Sequence, residues 1–138
     1  MIPRKAVSCG WRWGRRRMIP LKLKSRQWLV DEQDRIIMGD GRREILENIE
    51  RTGSINQTAK VMKMSYKAAW GKIKATEKYL DARIVYTDRK KGAWLTEEGK
   101  ELLMKFRALQ EGCREEEERL FRSIFGDDNV CCGDRIGD

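Results

Sequence analysis

Two short helical segments, separated by a turn of only two residues, form the centre of this chain. The first begins at Ser54, because a serine followed three residues later by a glutamine is the pattern of a capping box, and it runs to about Met62. Lys63-Met64 makes the turn, and Ser65 caps a second helix that reaches about Leu80. So tight a connection, with a basic second helix, predicts a helix-turn-helix.

Apolar residues with helical spacing give each segment one buried face. They are Ile55, Ala59 and Met62 on the first segment and Ala69, Ile73, Thr76 and Leu80 on the second. The alanines at 59 and 69 suit the crossing point, since only a small side chain lets two helices approach closely.

A hairpin and a helix are predicted ahead of this pair. Leu21–Val30 begins with alternating apolar and basic residues, which is typical of a strand, and Arg35–Met38 can return as a second strand. We expect Asp40 to cap a helix over about Arg42–Arg51, and Gly53 to end it.

A second hairpin follows the pair. Arg83–Thr87 is rich in β-branched residues, Asp88–Gly92 is a charged turn and Ala93–Leu95 can return as a strand, so this segment predicts a wing. A long helix then starts at Thr96-Glu97-Glu98. Its apolar positions have heptad-like spacing and are Leu102, Phe106, Leu109, Cys113, Leu120 and Ile124.

The predicted fold is therefore a mainly α (α+β) winged helix-turn-helix with an N-terminal β-hairpin and a long C-terminal dimerisation helix. Residues 1–20 are expected to form a disordered basic arm, residues 21–98 the winged DNA-binding domain, residues 99–126 the long helix and residues 127–138 a disordered tail. Met-Ile-Pro recurs at Met18, so one hypothesis places the native start there and treats what precedes it as foreign to the native protein.

The charge is unevenly distributed along the chain. Residues 51–91 hold eleven Lys and Arg against three Asp and Glu, whereas residues 99–138 hold seven against ten. A basic centre beside an acidic C-terminal part favours a polyanion as the partner of the centre. A lysine-rich solvated surface would give the same charge, so the order of the elements decides in favour of nucleic acid.

The chain has four cysteines without C-x-x-C spacing and no histidine. The usual zinc ligand sets are therefore missing, and we expect no metal and no cofactor. Without histidine the commonest general base is missing too, so we do not expect an enzyme. No apolar stretch approaches the roughly 18 residues of a membrane span, and the basic N-terminus lacks the apolar core of a signal peptide, which predicts a cytoplasmic protein with no membrane partner.

Several strings of residues resemble a known family. The strings are Gly53-Ser54-Ile55, Ala59, Ser65-Tyr66-Lys67, Ala69-Trp70 and Leu95-Thr96-Glu97-Glu98-Gly99. They resemble the N-terminal DNA-binding domain of the ModE family of molybdate-responsive transcriptional regulators and, more distantly, LysR-type winged helices. The similarity covers about Leu21–Phe125, and the Ser-Tyr-Lys-x-Ala-Trp string is its most specific part.

This resemblance implies a transcriptional regulator that binds double-stranded DNA as a homodimer. The chain departs from the family at Thr58-Ala59, where two alanines are usual, and in the wing turn Asp88–Gly92, which is short where the family's is often long and glycine-rich. It also leaves no room for the family's molybdate-binding domain, so the resemblance gives no support for oxyanion sensing. A separate effector-binding protein is one option for a further partner.

The residues expected to touch DNA lie at the two helix starts, along the second helix and at the wing tip. In a helix-turn-helix the N-terminal part of the second helix enters the major groove, where Lys67 can read a guanine edge and Tyr66 can contact a phosphate or a thymine methyl group. Trp70 either faces DNA or packs, and packing is favoured. The serines either serve phosphates at the helix starts or simply cap, and the wing-tip cations either touch DNA or form a solvated turn. The full set is Ser54, Ser65, Tyr66, Lys67, Trp70, Lys74, Arg89, Lys90 and Lys91.

The long helix is expected to pair with its copy in a homodimer, which would place two recognition helices about 34 Å apart for successive major grooves. Leu102 and Phe106 are expected to pack back onto their own domain, whereas the residues further along need a partner. The predicted dimerisation residues are Leu109, Cys113, Leu120, Phe121 and Ile124.

Two rival functions stay open. The first is a winged-helix protein-interaction or adaptor module that does not read DNA, and the basic balance of residues 51–91 argues against it. The second is a small RNA-binding protein that uses the same basic face, and the lack of an aromatic β-platform argues mildly against that function.

Overall fold

The computed structural model describes residues 21–126, and the predicted basic arm and C-terminal tail lie outside the described residues. Arg26–Gln110 forms one compact unit. The described residues that precede and follow it belong to a second unit.

Four α-helices and two small antiparallel hairpins make up the described chain, as a mainly α winged helix-turn-helix requires. In chain order they are β1 (Leu29–Val30), β2 (Ile36–Met38), α1 (Asp40–Thr52), α2 (Ile55–Val61), α3 (Tyr66–Leu80), β3 (Val85–Asp88), β4 (Gly92–Leu95) and α4 (Glu97–Phe121), followed by a π-helical turn (Arg122–Gly126). The strands pair only within each hairpin, β1 with β2 and β3 with β4. The predicted fold class is therefore confirmed, and we call α3 the recognition helix and β3–β4 the wing.

The first hairpin is shorter than its sequence predicts. Only Leu29–Val30 forms the first strand, and Leu21 and Leu23 are exposed. The reason is that β2 has three residues and offers partners only to this end of the segment, with Leu29 opposite Met38. Alternation alone cannot make a strand without a neighbour to complete its hydrogen bonds.

Helix α1 begins two residues earlier than expected, and Asp40 is not its cap. Gly39 occupies the N-cap position without a side-chain bond, and Asp40 lies in the first turn, where a carboxylate interacts favourably with the helix dipole. Asp40 also accepts a hydrogen bond from Gln110 Nε2 at 2.6 Å. Gly53 ends the helix in the left-handed conformation with φ of 70°, as predicted.

Both predicted serine caps form. Ser54 Oγ accepts a hydrogen bond from the Gln57 amide at 3.1 Å, and Ser65 Oγ accepts one from the Ala68 amide at 3.0 Å. The capping box is only half made, however, because the Ser54 amide donates to Thr52 Oγ1 at 3.2 Å. Thr52, rather than the side chain of Gln57, therefore accepts the hydrogen bond from the Ser54 amide.

One apolar core lies between the helices, the second strand and the wing. Its buried residues are Met38, Ile45, Leu46, Ile49, Ile55, Ala59, Ala69, Ile73, Ile84, Val85, Ala93, Leu95, Leu103 and Phe106. Thr76 is also fully buried, and its hydroxyl donates a hydrogen bond to the Ile37 carbonyl at 3.0 Å. A buried hydroxyl without such a partner would destabilise the fold.

Of the predicted core positions, Leu80 is wrong, whereas Met62 and Leu102 are partly buried and pack against the core. Met62 is only partly buried because α2 ends at Val61 and Met62 is its C-cap. Leu80 is 40% exposed because it is the last residue of α3. On α4, Phe106 is buried and Leu102 is partly buried against the core, so both pack onto their own domain as predicted, and Gly99 and Leu103 are buried as well.

The second unit has contacts of its own among its described residues, including ion pairs along α4 such as that between Arg119 and Glu116. Ser25 Oγ donates to the Glu117 carboxylate at 2.6 Å. The rings of Phe121 and Phe125 lie 5.2 Å apart between centroids. Helix α4 is continuous in backbone conformation from Glu97 to Phe121. No helix within residues 21–126 is long and apolar enough to cross a membrane.

Candidate nucleic-acid interface

The recognition helix separates a buried side from a polar one. Ala69, Ile73 and Thr76 face the core, while Tyr66 and Lys67 in the first turn are exposed. Ser65 lies just ahead of them and its hydroxyl caps the helix. The polar side of the first turn is therefore open to a ligand.

Lys67 is the cation of this turn that is available for binding. Its side chain is exposed, and within residues 21–126 it has no ion pair. An unpaired lysine loses no existing bond when it neutralises a phosphate or donates to a base edge.

Lys74, two turns further along, is already engaged. Its Nζ lies 2.8 Å from Glu77 Oε1 and 4.5 Å from the centroid of the Trp70 ring. The Trp70 ring in turn stacks on Tyr66, with 6.4 Å between centroids and 17° between planes. Trp70 is half-buried and packs against the core, which is the packing role favoured over a DNA-facing one.

Glu77 links the recognition helix to the wing. Besides Lys74, its carboxylate accepts hydrogen bonds from the amides of Ile84 at 2.8 Å and Val85 at 3.1 Å. Burial raises the pKa of Glu77, but the hydrogen bond from Lys74 and those from the two amides outweigh it, so the pKa lies below its ordinary value. The charged carboxylate therefore holds the first residues of the wing against α3, a role that the sequence does not reveal.

The wing turn carries three neighbouring cations. Arg89, Lys90 and Lys91 are exposed, and none of them has an ion pair in the described part of the chain. Asp88 accepts hydrogen bonds from the amides of Lys90 at 2.7 Å and Lys91 at 3.0 Å, and these bonds lower its pKa. The carboxylate of Asp88 is thus used to shape the turn, and the three cationic side chains point outward from it.

The wing is also fixed at its other strand. The Ala93 amide donates to the Gly53 carbonyl at 2.8 Å, which ties β4 to the turn between α1 and α2. At the end of the wing, Thr96 Oγ1 accepts a hydrogen bond from the Gly99 amide at 3.0 Å and caps α4.

An open cleft lies where the starts of α2 and α3 meet the wing. Its volume is about 370 Å³, and we call it the wing cleft. Its lining residues are Ser54, Ile55, Asn56, Tyr66, Thr87, Asp88, Arg89, Gly92 and Ala93. Three predicted site residues, Ser54, Tyr66 and Arg89, are brought together here.

The remaining predicted site residues do not line this cleft. Ser65 and Lys67 flank Tyr66 in the chain, Lys90 and Lys91 follow Arg89 in the turn, and Trp70 and Lys74 lie further along α3. Sequence reasoning missed Asn56 and Thr87, two exposed polar residues that line the cleft. Asn56 stands directly after the first residue of α2 and Thr87 is one residue before the wing turn, which is the only signal that marks them.

The predicted dimerisation residues are divided between exposed and half-buried positions. Leu109 is 41% and Leu120 is 57% exposed. Cys113, Phe121 and Ile124 are half-buried, and Cys113 is a free thiol. Within residues 21–126, no group of His, Cys, Asp and Glu side chains is placed to hold a metal ion.

The fold and this arrangement agree with two comparisons with known proteins. Residues 42–100 match the family described as bacterial regulatory helix-turn-helix protein, lysR family. Over 77 residues the chain is 39% identical to the molybdenum transport protein ModE of Azotobacter vinelandii. Residues 42–100 are therefore similar to LysR-type helix-turn-helix proteins, and the aligned region is similar to ModE.

The comparison with ModE concerns part of each protein. The aligned region covers 53% of this chain and 28% of the relative. The matched region, residues 42–100, contains all but the first two residues of α1, together with α2, the recognition helix and the wing, and it ends in the first turn of α4. It therefore includes each of the predicted DNA-contacting residues.

Proposed function

We propose that this protein is a transcription regulator that binds duplex DNA as a homodimer, with the first turn of the recognition helix in the major groove. The observation that carries the proposal is the wing cleft, which Tyr66 from the helix and Arg89 from the wing both line. A helix and a hairpin that open on one cleft can address the same duplex, since a major groove about 12 Å wide admits an α-helix.

In this proposal Lys67 and Tyr66 supply direct contacts to the duplex. Lys67 has three donors and no ion pair with any residue of 21–126, so it can bond to the acceptors on a guanine edge or to a phosphate. Tyr66 is 49% exposed although it stacks on Trp70, so its free edge and hydroxyl are available for a phosphate or a thymine methyl group. Trp70 acts as the support on which Tyr66 is held.

The wing contributes mainly electrostatic attraction. Arg89, Lys90 and Lys91 are exposed in the turn and can neutralise phosphates or enter the minor groove. Phosphate contacts fix the position of a protein on the duplex, and base contacts specify the sequence. We therefore assign register to the wing and sequence preference to the first turn of α3.

A salt-titrated shift assay with genomic duplex fragments tests this function. The wild-type chain is compared with Lys67→Ala and with Lys78→Ala, a matched control near the C-terminal end of the same helix. We expect Lys67→Ala to weaken binding to the preferred fragment by about five- to a hundredfold, as for loss of one specific contact, and Lys78→Ala to have a much smaller effect.

Three results of this assay would contradict the proposal in different ways. Failure of the wild-type chain to bind any duplex would overturn DNA binding and favour a protein-interaction module. Equal loss with Lys67→Ala on every fragment would reduce the function to non-specific binding. Affinity that does not change between low and moderate salt would exclude the phosphate contacts assigned to the wing.

Dimerisation through α4 rests on exposed leucines. Leu109 and Leu120 are large apolar side chains on the predicted heptad face, and both are substantially exposed in the single chain. A second copy would remove this apolar surface from water. The dimer would present two recognition helices to half-sites about one helical turn apart, so we expect an operator with inverted half-sites.

We also propose that any small-molecule signal acts through a separate effector-binding protein. A small anion bound in the wing cleft would compete with duplex phosphates for Arg89 rather than act from a distance. Adding molybdate to the shift assay is expected to leave duplex affinity unchanged. A change in affinity at molybdate concentrations that leave ionic strength constant would assign sensing to this chain.

A further inference from the structure

The wing has a second face that the proposed duplex contacts do not use. Tyr86 and Trp94 stand directly opposite each other on β3 and β4, with 5.8 Å between ring centroids and 50° between ring planes. They are 44% and 40% exposed. The adjacent pair, Val85 and Leu95, is buried in the core. Because side chains alternate across a hairpin, the two rings lie on its outer face.

One cation lies near the Tyr86 ring, and further cations stand in the turn of the same hairpin. The guanidinium carbon of Arg83 lies 5.9 Å from the centroid of the Tyr86 ring. Arg89, Lys90 and Lys91 form the turn of the same hairpin, and the one carboxylate between them and Tyr86, that of Asp88, is held by turn amides. The outer face therefore combines two exposed aromatic rings with cations at both ends of strand β3.

We propose that the Tyr86–Trp94 face binds unpaired nucleotides of single-stranded DNA. Aromatic rings stack on the faces of unpaired bases whatever their sequence, and nearby cations neutralise the backbone that joins them. Bases within a duplex are already stacked on each other, so this face selects single strands. The choice of DNA over RNA rests on the proposed function, because the recognition helix next to it is assigned to duplex DNA.

This face is distinct from the wing cleft. Thr87 and Arg89 line the cleft, whereas Tyr86 and Trp94 do not. A protein that holds a duplex in the cleft can therefore hold a neighbouring unpaired strand on the outer face of the same hairpin. Such a strand is present wherever a duplex next to the bound site is opened.

Support for the hairpin does not by itself explain the exposed aromatic pair. Val85, Ala93 and Leu95 already anchor the wing through its inner face, and the Ala93 amide bonds to Gly53. A cross-strand aromatic pair adds to hairpin stability as well, so the test must separate stability from binding.

The experiment measures binding of the full chain to fluorescently labelled oligothymidine of about 15 nucleotides, a length within the range of a small single-strand site. The variants are Tyr86→Ala and Trp94→Ala, with Tyr86→Phe and Trp94→Phe as controls that keep a ring. Thermal unfolding of each variant establishes that it is folded at the temperature of the assay. Lys67→Ala serves as the control directed at duplex binding.

We expect each alanine variant to weaken oligothymidine binding by about five- to a hundredfold, the range measured for loss of one base-stacking ring. The phenylalanine variants should bind within about threefold of the wild type, and Lys67→Ala should bind oligothymidine as the wild type does. The duplex affinity of Tyr86→Phe and Trp94→Phe should stay within about threefold of the wild type, because these substitutions change only the rings proposed to stack on unpaired bases.

Two results would overturn this inference whatever the duplex assay gives. One is failure of the wild-type chain to bind oligothymidine. The other is unchanged oligothymidine binding by a folded alanine variant, which would leave the pair as a hairpin stabiliser or a protein contact. Tighter binding to oligouridine than to oligothymidine would overturn the choice of DNA. If duplex binding fails but oligothymidine binding and its loss in the alanine variants are as expected, the proposed function is overturned and the stacking face is not.

Discussion

The backbone of Gly92 on the wing passes so close to Gly53 that a Cβ atom on Gly92 would lie 2.2 Å from the Gly53 carbonyl oxygen. The same carbonyl accepts the hydrogen bond from the neighbouring Ala93 amide at 2.8 Å. The wing is thus joined to the turn between α1 and α2 by a backbone contact. The space between the two backbones is too small for a side chain on Gly92. Gly92 and Ala93, the wing residues of this contact, also line the wing cleft, so the contact helps to position the wing beside it.

Gly92→Ala is expected to destabilise the protein. The new methyl group would clash with a backbone atom, and Gly92 has φ of 93°, where residues other than glycine are strained. We expect a loss of about 1–3 kcal/mol in the free energy of unfolding, measured by urea denaturation. The control is Gly112→Ala, where a Cβ meets nothing within 4 Å and a gain of up to about 1 kcal/mol is expected for a helical position. Equal stability of the Gly92 variant and the wild type would show that the wing does not need this contact.

Glu77→Ala tests the link between the recognition helix and the wing. It removes the acceptor for the Ile84 and Val85 amides and leaves Lys74 without its ion-pair partner. The expected loss is about 1–3 kcal/mol in the free energy of unfolding, as for partly buried donors that lose their acceptor. The exposed Glu101 pairs with Lys105 in a surface ion pair, and Glu101→Ala should have a much smaller effect. Similar losses for the two variants would argue against a structural role for Glu77.

The lowered pKa of Glu77 predicts that its contribution to the free energy of unfolding depends on pH. Because the folded state binds the Glu77 proton less tightly than the unfolded chain, the contribution to stability is complete above the ordinary glutamate pKa of about 4.3 and declines as the pH falls through the lower native value. The free energies of unfolding of the wild type and Glu77→Gln should differ most near neutral pH and converge as the pH falls through the lowered native pKa. A difference that stays constant over this range would contradict the assignment.

How far the sequence predicts these features depends on how local their causes are. The caps at Ser54 and Ser65 depend on hydrogen bonds that span three residues, so a short string of letters suffices to predict them. The pairing of Tyr86 with Trp94 depends on the register of the wing, which follows only once the ends of the turn are placed, as the predicted turn Asp88–Gly92 places them. The rival RNA-binding hypothesis was disfavoured for lack of an aromatic β-platform, and only this register brings two aromatic rings together on one face.

Contacts made by tertiary packing lie beyond such reasoning. The hydrogen bond from the Ala93 amide to the Gly53 carbonyl joins residues forty positions apart. Both groups belong to the backbone, so no residue type in the sequence indicates the bond. The wing cleft is likewise created by packing, so Asn56 and Thr87 could not be identified as its lining. Lys74 was predicted to face DNA because helical spacing turns it away from the core, but spacing cannot show that Glu77 already binds it.

The wing cations lead to a prediction about salt. If Lys90 neutralises a phosphate, Lys90→Ala should reduce the slope of log affinity against log salt by about 1 and weaken binding to all duplex sequences alike. Lys105→Ala removes an exposed lysine from α4, outside the proposed interface, and should leave the slope unchanged. The measurement is fluorescence anisotropy with one duplex over a series of salt concentrations. A loss confined to one sequence would instead make Lys90 a base-reading residue.

Leu120→Asp tests the proposed dimer. Leu120 is 57% exposed in the single chain, so a carboxylate at this position should not disturb the core, but it would be buried without a partner in a dimer that packs α4 against its copy. We expect the mass measured by sedimentation equilibrium to fall from that of a dimer to that of a monomer, and affinity for an operator with two half-sites to fall at least tenfold, because the second half-site contact is no longer linked to the first. Ala108→Asp places the same charge at an exposed position off the heptad face and should leave the mass unchanged. A dimer that survives Leu120→Asp would exclude this part of α4 from the interface and direct attention to other exposed apolar residues, such as Val30 and Ile36 on the first hairpin.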